Sequence, residues 1–281
     1  MKKSHHGHLC AAFLLSVTLS ATVLAHDTWL IPKQFSVKKD TALMLDMSSG
    51  MAFPDPFTAI KPERIVQAKL RLGEQQEDLS NTVSGKKTLR FNTRLTASGI
   101  AAFWVELKPK TIELSFDKVA TYLHELGSDE AKAEWDKMPE PKRWRETYSK
   151  HAKTFVKVDN GTTDATAWSK PVGLLLEIVP ETNPTAVKVG DDFTVQVLKH
   201  GQPLPHFAVG IAHEGEHKHH HDAISKTDEL GKVTFHFQHA GRWLLHGIDL
   251  QKSTQANTEW ESHFTTLSIQ VKPNASASKK N

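Results

Sequence analysis

The sequence predicts a mainly β fold: two β-sandwich domains of immunoglobulin-like or transthyretin-like type, with a short helical insertion in the first. Three observations lead there. Short apolar or alternating runs bounded by turn residues recur along most of the chain. One stretch, at about 117–148, breaks this pattern and takes helical spacing instead. Two prolines within Val179-Pro-Glu-Thr-Asn-Pro-Thr185 then mark a boundary between two β-rich parts.

Residues 1–25 read as a secretory signal. Lys2 and Lys3 form a basic start, Leu9 to Leu24 is largely apolar, and Val23 and Ala25 occupy the −3 and −1 places of a cleavage site. As a membrane anchor the segment is marginal, because a spanning helix needs about 20 consecutive apolar residues. Cleavage after Ala25 would make His26 the first mature residue. It would also remove Cys10, the only cysteine, so neither a disulfide nor a thiolate ligand is expected in the mature chain. A chain of this length can bury a sizeable core without disulfides.

Residues 26–183 read as the first domain. Strands are expected at Thr28–Ile31, Arg64–Leu72, Lys87–Asn92, Ile100–Leu107 and Leu174–Val179. Within the insertion, Val119, Tyr122, Leu123 and Leu126 predict a helix at about 117–126. A second helix is expected at about 128–137, a break at Pro139 and Pro141, and a further helical turn around Arg143–Tyr148. Trp135 and Trp144 read as core cover. Residues 184–273 form the second domain, an Ig-like or carboxypeptidase-regulatory-like sandwich. There Phe193, Val195 and Val197 alternate with polar neighbours, as do Val233, Phe235 and Phe237. Residues 274–281 read as a disordered tail.

Charge excludes some partners. The chain has 35 Lys and Arg against 32 Asp and Glu, and the signal carries two of the lysines. Nothing in this near-neutral balance points to nucleic acid. No apolar run beyond the signal is long enough to span a bilayer, so the mature chain is not expected to cross a membrane.

Several motifs occur in order: HDTWLIP after the signal, FDKVATYLHELG, RETYSKHAKTFVKV, PVGLLLEIVPETNP, GQPLPHFAVGI, TDELGKVTFHFQHAGRWLLH and EWESHFTTLSI. Through them the chain resembles the DUF4198 family, exported proteins similar to NikM-type periplasmic components of nickel and cobalt uptake systems. The resemblance implies an N-terminal β-rich domain, a C-terminal Ig-like domain, a periplasmic or secreted location, and partnership with an inner-membrane metal transporter. In the nickel relatives a His close behind the free terminus completes a square-planar site. Here the first three mature residues would be His26, Asp27 and Thr28, so a different N-terminal chelate is expected.

After cleavage, His26 offers a metal both its α-amine and its Nδ1. The amine has an ordinary pKa of about 7.7–8.0, so freeing its lone pair near neutral pH costs little, and affinity should fall as the medium acidifies. Alternation along the C-terminal strands suggests partners from elsewhere, ranked His246 first, His213 second and His236 third. A denser tract, His213-Glu-Gly-Glu-His217-Lys-His219-His220-His221-Asp222, reads as an exposed loop that takes up divalent metals loosely or is simply a solvated loop. Parity turns His263 toward the core side of its strand. Met44, Met47 and Met51 read as ordinary apolar residues. Imidazole, amine and carboxylate donors suit Ni²⁺, Co²⁺, Cu²⁺ and Zn²⁺, with raw affinity favouring Cu²⁺.

These observations lead to a periplasmic metal-binding protein, an accessory to nickel, cobalt or copper uptake. Two alternatives remain open. A copper histidine brace could carry redox chemistry, although no nucleophile elbow, P-loop or His-Glu-x-x-His sequence is present. A β-sandwich interaction module could bind metal only incidentally.

Overall fold

The computed structural model describes residues 26–126, 128–159, 166–215 and 222–274. The signal segment 1–25, His217, His219, His220 and His221, and the tail from 275 lie outside the described residues. Among the described residues the strands form three sheets. A nine-stranded sheet is the middle layer. Its order is β15 (Asp222–Lys226), β14 (Ala208–His213), β17 (Gly241–Lys252), β18 (Trp260–Val271), β10 (Trp144–Val158), β9 (Gly99–Leu114), β5 (Ile65–Leu72) and β6 (Gln75–Asp78), with the short β2 (Ser36–Val37) on the end of β10. Strands from both halves of the chain share this sheet. The seam is the parallel pairing of β10 with β18, from Glu146 opposite Trp260 to Thr154 opposite Ser268.

Each face of the middle sheet carries a second sheet. One face is covered by β1 (Asp27–Pro32), β3 (Ala42–Gly50), β8 (Leu89–Arg94) and β7 (Thr82–Ser84), with β4 (Thr58–Ala59) paired to β3. The other is covered by β11 (Leu176–Pro180), β12 (Asp192–Lys199) and β13 (Gln202–Pro203), with β16 (Lys232–His236) on the far side of β12. Strand alternation decides which residues go where, since successive side chains point to opposite faces. Ala101, Phe103 and Val105 of β9 join Ala152 and Val156 of β10 in the first core, against Leu43, Leu45, Met47 and Phe91. Phe155 of β10 turns the other way and joins Leu267, Ile269, Trp243 and Leu245, against Phe193, Val195, Val197 and Phe235. The chain adopts the expected mainly β sandwich fold with a helical insertion, and its two sandwiches share their middle sheet.

The insertion caps one end of that sheet. Helix α1 (Phe116–Leu126) buries Val119, Tyr122 and Leu123, the expected helical stripe. Helix α2 (Asp129–Lys137) starts at Ser128, whose side chain accepts from Ala131 N at 3.2 Å. Both pack on Trp144, which stacks on Trp260 at 4.4 Å. The helical turn expected around 143–148 is instead the start of β10. Trp144 and Glu146 point into the cluster while Arg145 is less buried, a period of two rather than 3.6. No helix among the described residues is long and apolar enough to cross a membrane.

A buried ion pair ties the outer sheet of the second sandwich to β10. Lys153 Nζ lies 2.5 Å from Glu177 Oε1, with both side chains almost wholly buried. Burial pushes the Lys153 ammonium below its ordinary range, against the pull of Glu177. Glu177 also accepts from the backbone N–H groups of Val172, Gly173 and Leu174. Breaking a buried pair strands an uncompensated charge. Glu177→Gln is therefore expected to lower unfolding free energy in urea by about 3–5 kcal/mol. Combining it with Lys153→Met should recover part of the loss, and equal loss in both variants would contradict this assignment.

Candidate functional site

Strand β1 is the edge of its sheet, and its outward carbonyls need partners. Side chains of β18 supply them. Thr266 Oγ1 donates to Thr28 O at 2.7 Å, and Ser268 Oγ donates to Leu30 O at 2.5 Å. Trp29 and Ile31 then bury against Leu244 of β17, with Phe35 and Phe53. These contacts set the N-terminal segment on the middle sheet, with His26 and Asp27 at the leading end of β1.

Around that end the structure gathers a polar group. His246, which opposes Thr266 in the β17–β18 pairing, points its Nδ1 at Asp27 Oδ2, 3.5 Å away. Its ring lies on Gly210 of β14. A Cβ there would come within 2.6 Å of His246 Nε2, so only glycine leaves the ring its place. Lys150 Nζ donates to His26 O and rests over the Phe264 ring at 4.8 Å. Burial pushes the Lys150 ammonium down to about 8, partly offset by Asp27. The His26 ring packs on the exposed ring of Phe57 at 5.7 Å.

His246, ranked first as a partner for His26, is thus brought to the N-terminal segment. His213 is not. It lies on β14 three residues beyond Gly210, so it projects from the opposite face, where its ring packs at a tilt against Trp243 at 4.5 Å. His236 is on β16 in an outer sheet, exposed, and paired with Asp192 at 2.8 Å. Met47 is wholly buried in the first core, an ordinary apolar role. Among the described residues no group of three or more His, Cys, Asp and Glu side chains is arranged to hold a metal ion.

The opposite face of β10 and β18 carries a second polar row, largely missed in the sequence. His151 donates through Nδ1 to Phe264 O at 3.0 Å, and its Nε2 lies 4.0 Å from Glu106 Oε1. His263 Nδ1 is 2.7 Å from Ser149 Oγ, and its Nε2 is 3.5 Å from Glu261. Asp249, opposite His263 on β17, pairs with Lys199 at 2.6 Å. Parity does place His263 inward. His151 has no such signal, because β10 is buried on both faces and alternation disappears there.

Burial pushes both imidazoles below the ordinary histidine range. The unfolded chain therefore takes up these protons more readily than the folded one. Their contribution to stability is intact above about pH 6.5 and is lost as pH falls from there toward the depressed folded values. Urea unfolding should give a smaller free energy at pH 5 than at pH 7. The difference should shrink in the double variant H151N/H263N; an unchanged pH slope in that variant would contradict the assignment.

Among curated proteins no relative matches the chain. Among solved structures, it is similar to the D0-D1 domain of intimin at 12% identity and TM-score 0.21, over 86% of this chain and 97% of that one. It is also similar to the adhesin InvE of Yersinia pseudotuberculosis at 10% identity and TM-score 0.23, over 85% of this chain and 58% of that one. Murine CEACAM1b gives 9% identity and TM-score 0.21, over 88% and 100%. Likenesses at these scores carry nothing about function. The family model of a domain of unknown function, DUF4198, matches residues 23–248, and the chain belongs to that family.

Proposed function

We propose that this is an exported protein that binds a divalent transition metal ion at its mature N-terminus, as an accessory to nickel, cobalt or copper uptake. The observation that carries this reading is the placement of His246 beside Asp27 at the leading end of β1. Side chains alone leave the set short of donors. Cleavage after Ala25 would add the missing one, the α-amine of His26, which chelates together with that residue's own Nδ1. His246 then supplies a third nitrogen and Asp27 a carboxylate.

The framework suits such a task. The Thr266 and Ser268 hydrogen bonds and the Lys150 contact fix the β1 backbone, so the terminus is ordered before the metal arrives. That lowers the entropic cost of binding. Gly210 leaves room for the Nε2 edge of the His246 ring while its Nδ1 faces Asp27. The donors are imidazole, amine and carboxylate, which bind Ni²⁺, Co²⁺, Cu²⁺ and Zn²⁺, and Cu²⁺ most tightly on intrinsic affinity. Cargo supplied to an inner-membrane transporter would then be set by metal availability.

Intact-mass measurement of the exported protein should give a chain starting at His26. Titration with Ni²⁺, Cu²⁺, Co²⁺ and Zn²⁺ should reveal one tight site. H26A, H246A and an added Gly-Ser at the terminus are each expected to weaken it at least tenfold. G210A should weaken it too, by displacing the His246 ring, while leaving the chain folded. Unchanged affinity after the terminus is extended would overturn the reading.

A further inference from the structure

The second feature stands on the opposite face of β14, where two turns are locked against each other. Glu214, just past the end of β14, accepts from Arg242 N at 2.8 Å and from Arg242 Nε at 2.5 Å. Glu214 N donates back to Arg242 O at 3.0 Å. Trp243 Nε1 donates to His239 O at 3.0 Å, pinning the turn that precedes β17. Gly241 sits between them with φ +133°. A Cβ there would come within 2.6 Å of Glu214 Oε1 and 2.8 Å of His213 Nε2. Glycine is thus required twice over, for its backbone conformation and for the close approach.

The consequence is a pair of imidazoles held close together. The rings of His213 and His239 lie 5.7 Å apart and 31° from parallel. The spacing is informative. A metal–imidazole bond is about 2.0–2.1 Å, which puts each ring centre about 3 Å from the ion. Two rings on one ion therefore stand about 4.5 Å apart at a right angle and about 6 Å apart when opposed. The observed separation falls inside that window. His213 Nε2 lies 3.1 Å from Ala240 O. A carbonyl only accepts, so Nε2 is the donor in this contact, and in that tautomer Nδ1 is the nitrogen able to coordinate a metal. His239 is exposed, which leaves the pair open to solvent.

We infer that His213 and His239 form a second transition-metal site, with His239 as the ligand that the histidine-rich tract alone does not reveal. It deepens the metal-binding reading, but it does not depend on the amino terminus. Borderline divalent ions that take imidazole, Cu²⁺ and Zn²⁺ above all, are the expected occupants. The site is two-coordinate from the described residues. It is expected to bind more weakly than the terminal site and to exchange quickly.

The test uses the mature chain and its H26A form, titrated with Cu²⁺ and Zn²⁺ by calorimetry. In both backgrounds H239A is expected to weaken one binding event at least tenfold. H213A should do the same, and H213A/H239A should be no worse than either alone. The effect of H239A should persist when His217, His219, His220 and His221 are replaced by alanine. Trp243 gives an independent readout, because the His213 ring lies 4.5 Å from its indole. Cu²⁺ should quench a fluorescence component that W243F lacks, and H239A should remove that quenching at the same metal concentration. An unchanged titration and unchanged quenching in H239A would overturn the proposal, even if H26A had abolished the tight site. Loss in H239A with no effect of H26A would leave this site standing and remove the terminal one.

Discussion

The parallel pairing of residues 146–154 with 260–268 is the contact on which the rest of the molecule depends. It joins two segments more than a hundred residues apart into one sheet, so neither sandwich has a middle layer of its own. Both cores draw on this pair, the first on β10 and the second on β10 and β18. Ala152 and Val156 serve one, and Phe155, Leu267 and Ile269 serve the other. Parallel strands buried on both faces usually read as near-continuous apolar runs, but β10 and β18 are buried there with charged and polar residues among them. Several of these are paired inside the protein. Glu146 accepts from Tyr122, Trp144 and Ser262, and Lys153 pairs with Glu177.

The same seam positions the chemistry. Thr266 and Ser268 hold β1 by its edge carbonyls, Lys150 holds the backbone at His26, and the neighbouring strand β17 brings His246 to Asp27. An edge strand closed by side-chain hydroxyls no longer offers unpaired carbonyls to other chains. The polar group at the leading end of β1 and the His213–His239 pair lie on opposite faces of β14 and β17. On the metal-binding reading, a weaker site at the end of β14 and a tighter one at the terminus would be separated by a single layer of sheet.

Much of the fold was legible because local patterns agreed with it. Phe193, Val195 and Val197 alternate and form β12; Val119, Tyr122 and Leu123 recur at helical spacing and form α1. The failure at 143–148 has a physical origin. Arg143–Tyr148 follows two prolines in a Lys- and Glu-rich stretch, and its strand character comes from pairing with residues 110–114 and with β18, contacts that no local window contains. The site was legible in part for the same reason. Parity showed that His246 faces away from Trp243 and Leu245. That β1 lies on this face, and that His213 lies on the other, follows from a sheet order that alternation does not encode. His239 sits in a turn rather than a strand, so no period could mark it.

The most direct measurement is electron paramagnetic resonance of the Cu²⁺-loaded mature protein with ¹⁵N-labelled histidine. If the terminus and His246 share one ion, the spectrum will show coupling to the amine and two imidazoles, and H246A will lose one histidine nitrogen while remaining folded. A spectrum that is identical in the parent and in H246A would contradict a site built where β1 meets β17.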